Sequence, residues 1–329
     1  MTQKSKHMLC VITKECIDLG KYELLAQTKC KLTDICSHIY TLQTTYTSWK
    51  NLAFIQKVVE LFFVGSLQTF EQTPLSFTSK TYSVEITHTQ KETITSDVKK
   101  RIYAKIYKSQ KTPVISLDNP TEVFEVFITP DNIYVGKRIY LQTKEFLLRK
   151  TQLLPFKNPV ASSPKISKAM CNLTGLVTGS IYDPFCGQGG ILVEALHNGF
   201  TVFGSDIDPD AIQKAKHIIE KQNINSQFQK QLNKHSLYVH SALTTTQKAD
   251  AIVSDLPYGK GTKNISSTLY TDFLTHCLRE KLAPIAILCF PHYAKVQQIL
   301  ESLQIPIIFE TYIPIHKNLQ RHIIVCSLT

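Results

Sequence analysis

Three stretches of the chain combine acids, glycines and a Pro-Tyr pair at spacings that could do chemistry. The first is Ser180-Ile181-Tyr182-Asp183-Pro184-Phe185-Cys186-Gly187-Gln188-Gly189-Gly190, running on into Ile191-Leu192-Val193-Glu194-Ala195. It passes from an apolar run, through an acid and a glycine-rich loop, into a helical pattern. Glycine admits φ > 0 and lets a ligand come close to the backbone. A helix start adds free N–H groups and a positive dipole end, which suit an anionic group. The second stretch, Thr201-Val202-Phe203-Gly204-Ser205-Asp206-Ile207-Asp208, reads as the next strand with an acid at its tip. That acid lies about 20 residues on, where a ribose-binding carboxylate belongs in a doubly wound sheet. The third, Asp250-Ala251-Ile252-Val253-Ser254-Asp255-Leu256-Pro257-Tyr258-Gly259, is an apolar strand ending in Asp-x-Pro-Tyr. The dinucleotide pattern G-x-G-x-x-G is absent. Each stretch ends a predicted strand, so all three converge on the crevice where open α/β sheets bind ligands.

These tips need a sheet, and the C-terminal half supplies one. Ser163 fits as N-cap to a helix with Pro164 at its first position. Asp208-Pro209-Asp210 opens a helix to Gln222, and Pro209 makes Asp208 a better helix cap than a ribose acid. Leu237–His240, Ile285–Phe290, Ile305–Ile315 and His322–Leu328 read as further strands, with a helix over Thr268–Leu282. In the N-terminal half, Met8–Ile12 and Asp34–Gln43 read as strands and Lys21–Gln27 as a short helix. Phe54–Phe63 repeats apolar residues at helical spacing. Thr81–His88 and Glu122–Thr129 alternate with period two, Val114–Leu117 is a short strand, and Ile133–Tyr140 returns after the turn Pro130-Asp131-Asn132. Between them Ser96 caps a helix that presents Val98, Ile102, Ile106 and Tyr107 on one face and Lys99, Lys100, Arg101, Lys105 and Lys108 on the other.

The chain has 329 residues and a formal net charge of +11. Residues 1–157 hold 22 Lys and Arg against 14 Asp and Glu, and the remainder 15 against 12. A basic domain beside a catalytic one suggests a polyanionic substrate held through phosphates. No apolar run reaches the roughly 18 residues of a membrane span. The run after the basic N-terminus is too short for a signal peptide, so a cytoplasmic protein is expected. Nine cysteines lack any C-x-x-C pair. Cys10, Cys16, Cys30 and Cys36 are spaced too widely for a usual zinc site, and no metal is expected.

Asp-Pro-Phe-Cys-Gly-x-Gly-Gly from Asp183, followed by Asp-x-Pro-Tyr-Gly from Asp255, resembles the THUMP-containing tRNA guanosine-N2 methyltransferases. These are class I S-adenosylmethionine-dependent enzymes that methylate an exocyclic amino group. The β–α–β–hairpin over 80–140 is similar to the THUMP domain, which binds the acceptor end of tRNA in this group. Asp118-Asn119-Pro120 matches part of the family's Asp-Leu-x-Asn-Pro region. Leu154-Pro155-Phe156 to Pro159 and the helix ending Asn172-Leu173 resemble its Arg-Pro-Phe-x-x-Pro segment, with Leu154 in place of the Arg. His316 to Arg321 resembles its His-x-x-Leu-x-Arg ending.

The resemblance implies an α/β fold: a class I, Rossmann-like methyltransferase domain over 176–329, reached through a linker and helix over 146–175. An α+β THUMP-like RNA-binding domain over 71–145 and a small ferredoxin-like region over 1–70 precede it. It implies methylation of guanosine N2 in tRNA, with nucleotide 10 the expected target and a mono- or dimethylated product. Asp183, Phe185, Cys186, Gly187, Gly189, Gly190, Asp206, Ile207, Ser241, Ala242 and Asp255 are then expected to hold S-adenosylmethionine. Asp183 lies near the amino group and Asp206 on the ribose, while Ser241 stands where many relatives carry an adenine-contacting acid. Asp255, the Leu256 carbonyl, Pro257 and Tyr258 form the catalytic turn: Asp255 orients the amino group and receives a proton late, and Tyr258 stacks on an extruded base. Lys99, Lys100, Arg101, Lys105 and Arg321 are expected to contact RNA. The protein is expected to act on tRNA as a monomer, with a small activator subunit left open.

Other readings remain. Another nucleic-acid amino methyltransferase, or methylation at a different tRNA position, would use the same turn. A cytosine-C5 methyltransferase would need a nucleophilic cysteine, for which Cys289 is placed better than Cys186. A non-catalytic tRNA-binding partner would fail to bind the cofactor.

Overall fold

The computed structural model describes residues 4–89, 94–143, 145, 163–221, 236–258, 268–316 and 319–329. The chain forms two compact units. One comprises residues 1–17, 28–50 and 55–142; the other comprises 18–27, 51–54 and 143–329.

The first unit is built on one seven-stranded sheet. Its strands are β1 (Lys6–Ile12), β2 (Thr33–Cys36), β3 (Ile39–Thr44), β4 (Ile55–Gly65), β5 (Tyr82–His88), β6 (Glu122–Ile128) and β7 (Ile133–Leu141), in the order β2-β3-β1-β4-β7-β6-β5. Strands expected in two separate regions therefore share a single sheet. The stretch expected to be helical is strand β4. The register shifts between Val58 and Val59 and between Leu61 and Phe63 as it pairs with β7, and such bulges break period-two alternation into something that mimics a helical repeat. Gly136 on β7 is required there, because a Cβ would lie 2.4 Å from the Glu60 carbonyl oxygen. Asp34–Gln43 is a hairpin, β2 and β3, rather than one strand. Val114–Leu117 contributes only a bridge from Ile115 to Tyr82, being too short to sustain a ladder. Helices α2 (Leu67–Gln72) and α3 (Ser96–Lys108) belong to this unit. The cap of α3 is Thr95, whose hydroxyl accepts from the Val98 N–H, and not Ser96. Phe63, Phe70, Ile102, Ile106, Phe124 and Val126 form its core.

The second unit carries the sheet that the motifs require. Strands β8 (Ser180–Asp183), β9 (Thr201–Asp206), β10 (Ser236–Val239), β11 (Ala251–Asp255), β12 (Ile285–Pro291), β13 (Ile307–His316) and β14 (Leu319–Ser327) run in the order β10-β9-β8-β11-β12-β14-β13. The first five are parallel, and β14 lies antiparallel to both of its neighbours. The central strands are largely apolar, as strands covered on both faces are: Ala251–Ser254 and Ala286–Pro291 are buried, and the one hydroxyl among them, Ser254, is satisfied by Asp183. The order reverses between β8 and β11, which fixes the ligand crevice at their C-terminal ends.

Helices α4 (Pro164–Leu173), α5 (Gly190–His197), α6 (Pro209–Lys221), α7 (Leu269–Glu280) and α8 (Val296–Ser302) complete this unit, together with α1 (Ile17–Thr28), whose residues 18–27 belong to it. Ser163 caps α4 as expected, accepting from the Ile166 N–H. A fully buried carboxylate ties the N-terminal contribution in place. Glu23 accepts from the Ala53 and Phe54 N–H groups at 2.6 and 2.9 Å and from Asn172 Nδ2 at 2.6 Å. Tyr22 stacks on Phe309 at 4.1 Å.

Candidate functional site

The crevice is built from strand tips. Asp183 ends β8 and is buried. Its Oδ1 accepts from the Ser254 hydroxyl at 2.6 Å and from the Phe185 N–H at 3.2 Å. Burial pushes its carboxyl up to about 7, and the carboxylates of Asp206 and Asp255 push the same way, while those hydrogen bonds oppose them. Asp206 ends β9, and its Oδ2 accepts from the Gly187 N–H at 2.9 Å, so the second acid braces the glycine loop of the first strand. Asp208 accepts the Asp210 N–H at 2.9 Å and serves as the helix cap expected of it.

The loop itself is left-handed at Gly187 and Gly189, with φ of +50° and +82°. A Cβ built on Gly187 or Gly190 meets nothing within 4 Å, so the loop borders open space on that side. Gly189 is the N-cap of α5 and brings no side-chain cap, which leaves first-turn N–H groups for a ligand. Ile207 follows Asp206 with 74% of its surface exposed, an apolar face at the crevice rim. Ala242 is buried, and the Ser241 hydroxyl accepts from the Leu243 N–H at 3.2 Å within its own turn. The Phe185 ring packs edge-on against Phe273 at 5.1 Å and shapes the loop from the core side. Cys186 is buried, and burial raises its thiol far above the ordinary range.

On the other side of the crevice Asp255 ends β11. Its Oδ1 accepts from the Tyr258 hydroxyl at 2.8 Å, and Oδ2 lies 3.8 Å from Arg321 Nε. Leu256 is buried in the core, and its N–H donates to the Cys289 carbonyl at 2.9 Å. The two following carbonyls are held by phenols: Tyr270 donates to Pro257 O at 2.7 Å and Tyr293 to Tyr258 O at 2.6 Å. Burial, then the neighbouring Cys289 and Asp255, hold the Tyr258 phenol strongly protonated. Cys289 is fully buried and its thiol is pushed well up by that burial.

Arg321, expected to contact RNA, lies beside this turn. Its position on β14 opposite Pro291 carries it to the crevice end of the sheet, and only 6% of it is exposed. Two of the expected RNA-contacting cations on α3 are also engaged within their unit. Arg101 clasps the Glu71 carboxylate with two bonds of 2.7 Å, and Lys105 donates to the Glu71 and Thr73 carbonyls. Lys99 and Lys100 are exposed. The segment from Leu154 to Pro159 lies outside the described residues. The sequence reading missed Ser254, Tyr270 and Tyr293; Tyr270 is the second residue of α7 and Tyr293 follows β12, and their places next to element ends were the one signal they offered.

Residues 153–316 match the UPF0020 family, RMKL-like methyltransferase domain. A probable tRNA (guanine(10)-N2)-dimethyltransferase of Methanothermococcus thermolithotrophicus is 31% identical over 180 residues, covering 50% of this chain and 99% of that protein. This chain belongs to the tRNA (guanine-N2)-methyltransferase family. The tRNA (guanine(10)-N2)-dimethyltransferase of Methanothermobacter thermautotrophicus is 29% identical over 209 residues, 61% of this chain and 60% of that one. The chain thus matches somewhat less than two thirds of the length of that relative. The crystal structure of TrmN from Thermus thermophilus shares the fold, with a TM-score of 0.53 over 98% of this chain and 99% of that one at 16% identity.

S-adenosylmethionine is the methyl donor of this family, and the residues present fit it. The molecule carries an amino group, a carboxylate, a sulfonium and two ribose hydroxyls. The crevice offers a buried acid at Asp183, an uncapped helix start behind the open side of Gly187 and Gly190, and a second acid at Asp206 beside exposed Ile207. Among the described residues no group of three or more His, Cys, Asp or Glu could hold a metal ion. No helix there is long and apolar enough to cross a membrane.

Proposed function

We propose that the chain transfers a methyl group from S-adenosylmethionine to the exocyclic N2 of a guanosine in tRNA, with nucleotide 10 the target. The observation that carries this reading is the Asp255 carboxylate, fixed by the Tyr258 phenol at the switch point of the sheet, across the crevice from Asp183 and Asp206. When bound, the cofactor supplies an electrophilic methyl group. Asp183 would face its amino group, the α5 start its carboxylate and Asp206 its ribose.

Guanine N2 is a poor nucleophile because its lone pair is delocalised into the ring. Asp255 accepts one amino hydrogen, and the Leu256 carbonyl is placed to accept the other. Together they turn the lone pair toward the methyl donor. As the nitrogen becomes cationic it sheds a proton to Asp255, whose charge stabilises that moment most. The Tyr258 ring offers a face to a base drawn out of the tRNA stack. Leu256 offers its carbonyl at the position before Pro257 and sets its side chain in the core. The basic N-terminal unit supports a tRNA-holding role for that part of the chain, with Lys99 and Lys100 as its exposed cations on α3.

The cytosine-C5 alternative needs a thiolate at Cys289, which is fully buried and whose thiol is held protonated. The test is mass spectrometry of nucleosides from tRNA incubated with enzyme and methyl donor. N2-methylated guanosine should form. Asp255→Ala should cut the rate by about 10²–10⁴-fold with little change in tRNA binding, while Cys289→Ala stays well above that. The reverse pattern, or 5-methylcytidine as product, overturns the assignment.

A further inference from the structure

We propose that Tyr270 and Tyr293 are positioning residues that set the aim of the catalytic turn, so that the Leu256 carbonyl is presented to the substrate amino group. This rests on the amino-methyltransferase reading above. The Asp255–Tyr258 turn carries three successive carbonyls after the acid, at Leu256, Pro257 and Tyr258. Two are occupied by phenol hydroxyls, at 2.7 Å from Tyr270 to Pro257 and 2.6 Å from Tyr293 to Tyr258. Among the described residues no hydrogen bond takes the Leu256 carbonyl. Pro257 has no N–H, so the turn cannot be held by the usual ladder. It is held instead by the Leu256 N–H on Cys289 and by these two phenols from outside the strand.

Tyr270 is packed in the core region and Tyr293 lies at the surface with 45% of its area exposed. The Tyr270 ring packs at 90° against Phe290, 5.2 Å away, at the start of α7. Tyr293 sits just beyond β12 with its ring edge-on to His292 at 5.4 Å. Burial pushes the Tyr270 hydroxyl up to about 12, so it remains a donor across the working pH range. The arrangement is a three-legged support: β12 holds the start of the turn through Cys289, α7 its middle, and the segment after β12 its end. A peptide plane freed of either phenol could rotate, and its neighbour would carry the Leu256 carbonyl away from the amine. Near-attack geometry tolerates little such drift.

Tyr270→Phe and Tyr293→Phe remove one hydroxyl each and keep the rings. Each should lower kcat for methyl transfer to tRNA about tenfold, the effect of losing one hydrogen bond. KM for tRNA and the affinity for S-adenosylhomocysteine should stay within about twofold. Amide exchange at Leu256 and Tyr258 should quicken in both variants while exchange in the core of β8 and β12 is unchanged, which a general loss of stability would not produce. Unchanged kcat in both variants, or a rise in KM at constant kcat, overturns the proposal; the latter would make the hydroxyls substrate contacts rather than supports of the turn. If the wild-type protein forms no N2-methylguanosine, the functional reading fails. The amide exchange at Leu256 and Tyr258 then decides the clamp by itself: faster exchange keeps it, and unaltered exchange ends it.

Discussion

Asp183 and Asp206 end adjacent strands of the same sheet, and their surroundings set them to different tasks. Asp206 gives one oxygen to the Gly187 N–H and the other to the Asp208 N–H at 3.0 Å, so it organises the loop and still has lone pairs for ribose hydroxyls. Asp206→Ala should weaken S-adenosylhomocysteine binding by about 1.5–3 kcal/mol, the range for hydrogen bonds to a charged group, measured by calorimetry. Asp208→Ala should cost helix stability and leave affinity alone; unchanged affinity in Asp206→Ala would shift the ribose role to Asp208. Asp183 is buried, and its carboxyl is raised from an ordinary 3.8 to about 7. The sign follows from linkage. The fold holds this proton where the unfolded chain has released it, so the group lowers stability progressively as pH rises from about 4 to about 7. Asp183→Asn should flatten that part of the urea-denaturation profile and stabilise the protein at pH 8, on the order of 2–4 kcal/mol. A profile as steep as the wild type's would mean that the proton resides elsewhere.

At the scale of elements, α3 illustrates what periodicity reveals and what it hides. Its apolar stripe was legible at Val98, Ile102 and Ile106, which pack on the core, whereas Tyr107, expected on the same face, is 48% exposed at the end of the helix. Which of its cations are spoken for was not legible, because Glu71 lies 30 residues from Arg101. Lys99→Ala with Lys100→Ala should therefore lower the slope of log affinity for tRNA against log salt by about two, one for each phosphate no longer neutralised. Arg101→Ala with Lys105→Ala should act chiefly on thermal stability, by loosening α2 from α3. A salt slope left at the wild-type value by Lys99→Ala with Lys100→Ala would make this face a solvated surface only. The same limit accounts for the other misreadings. Strand β4 was hidden by two bulges whose positions depend on β7. The place of Arg321 beside Asp255 went unread because β14's antiparallel register with β12 is set by a partner 30 positions away at Pro291. The acids and glycines of the crevice were legible because each signal is local: a strand, its tip and the turn that follows.

The whole molecule does not divide where composition alone would divide it. The chain leaves the first unit at residue 18, returns at 28, and leaves again for 51–54 before the final crossing at 143. These two excursions are structural parts of the methyltransferase unit. Glu23 satisfies two backbone N–H groups of 53–54 and the Asn172 amide, and Asn172 in turn accepts from Asn198 Nδ2 at 2.8 Å beyond the end of α5. Gln27 donates to the Asn172 carbonyl at 2.7 Å, and Lys165 lies over the Phe54 ring at 4.8 Å. Burial raises the Glu23 carboxyl, but three donors and the charge of Lys168 oppose it. The network therefore links α1 to α4 and, through Asn172 and Asn198, to α5, whose uncapped start borders the open side of the glycine loop. A fragment of residues 143–329 would lose all of the N-terminal partners at once, leaving Asn172 with one of its neighbours and the surface beneath Phe54 and Tyr22 uncovered. Each buried polar group so abandoned costs about 1–3 kcal/mol, and folded domains have only about 5–15 kcal/mol to lose. The fragment should unfold at a clearly lower temperature and denaturant concentration than the full chain, with shallow cooperativity, and bind S-adenosylhomocysteine weakly. In the full chain, Glu23→Ala should reproduce part of this loss and leave the salt dependence of tRNA binding intact. A fragment that melts sharply at the full chain's midpoint and binds with the full chain's affinity would show that α1 and 51–54 merely rest on the catalytic unit without supporting it.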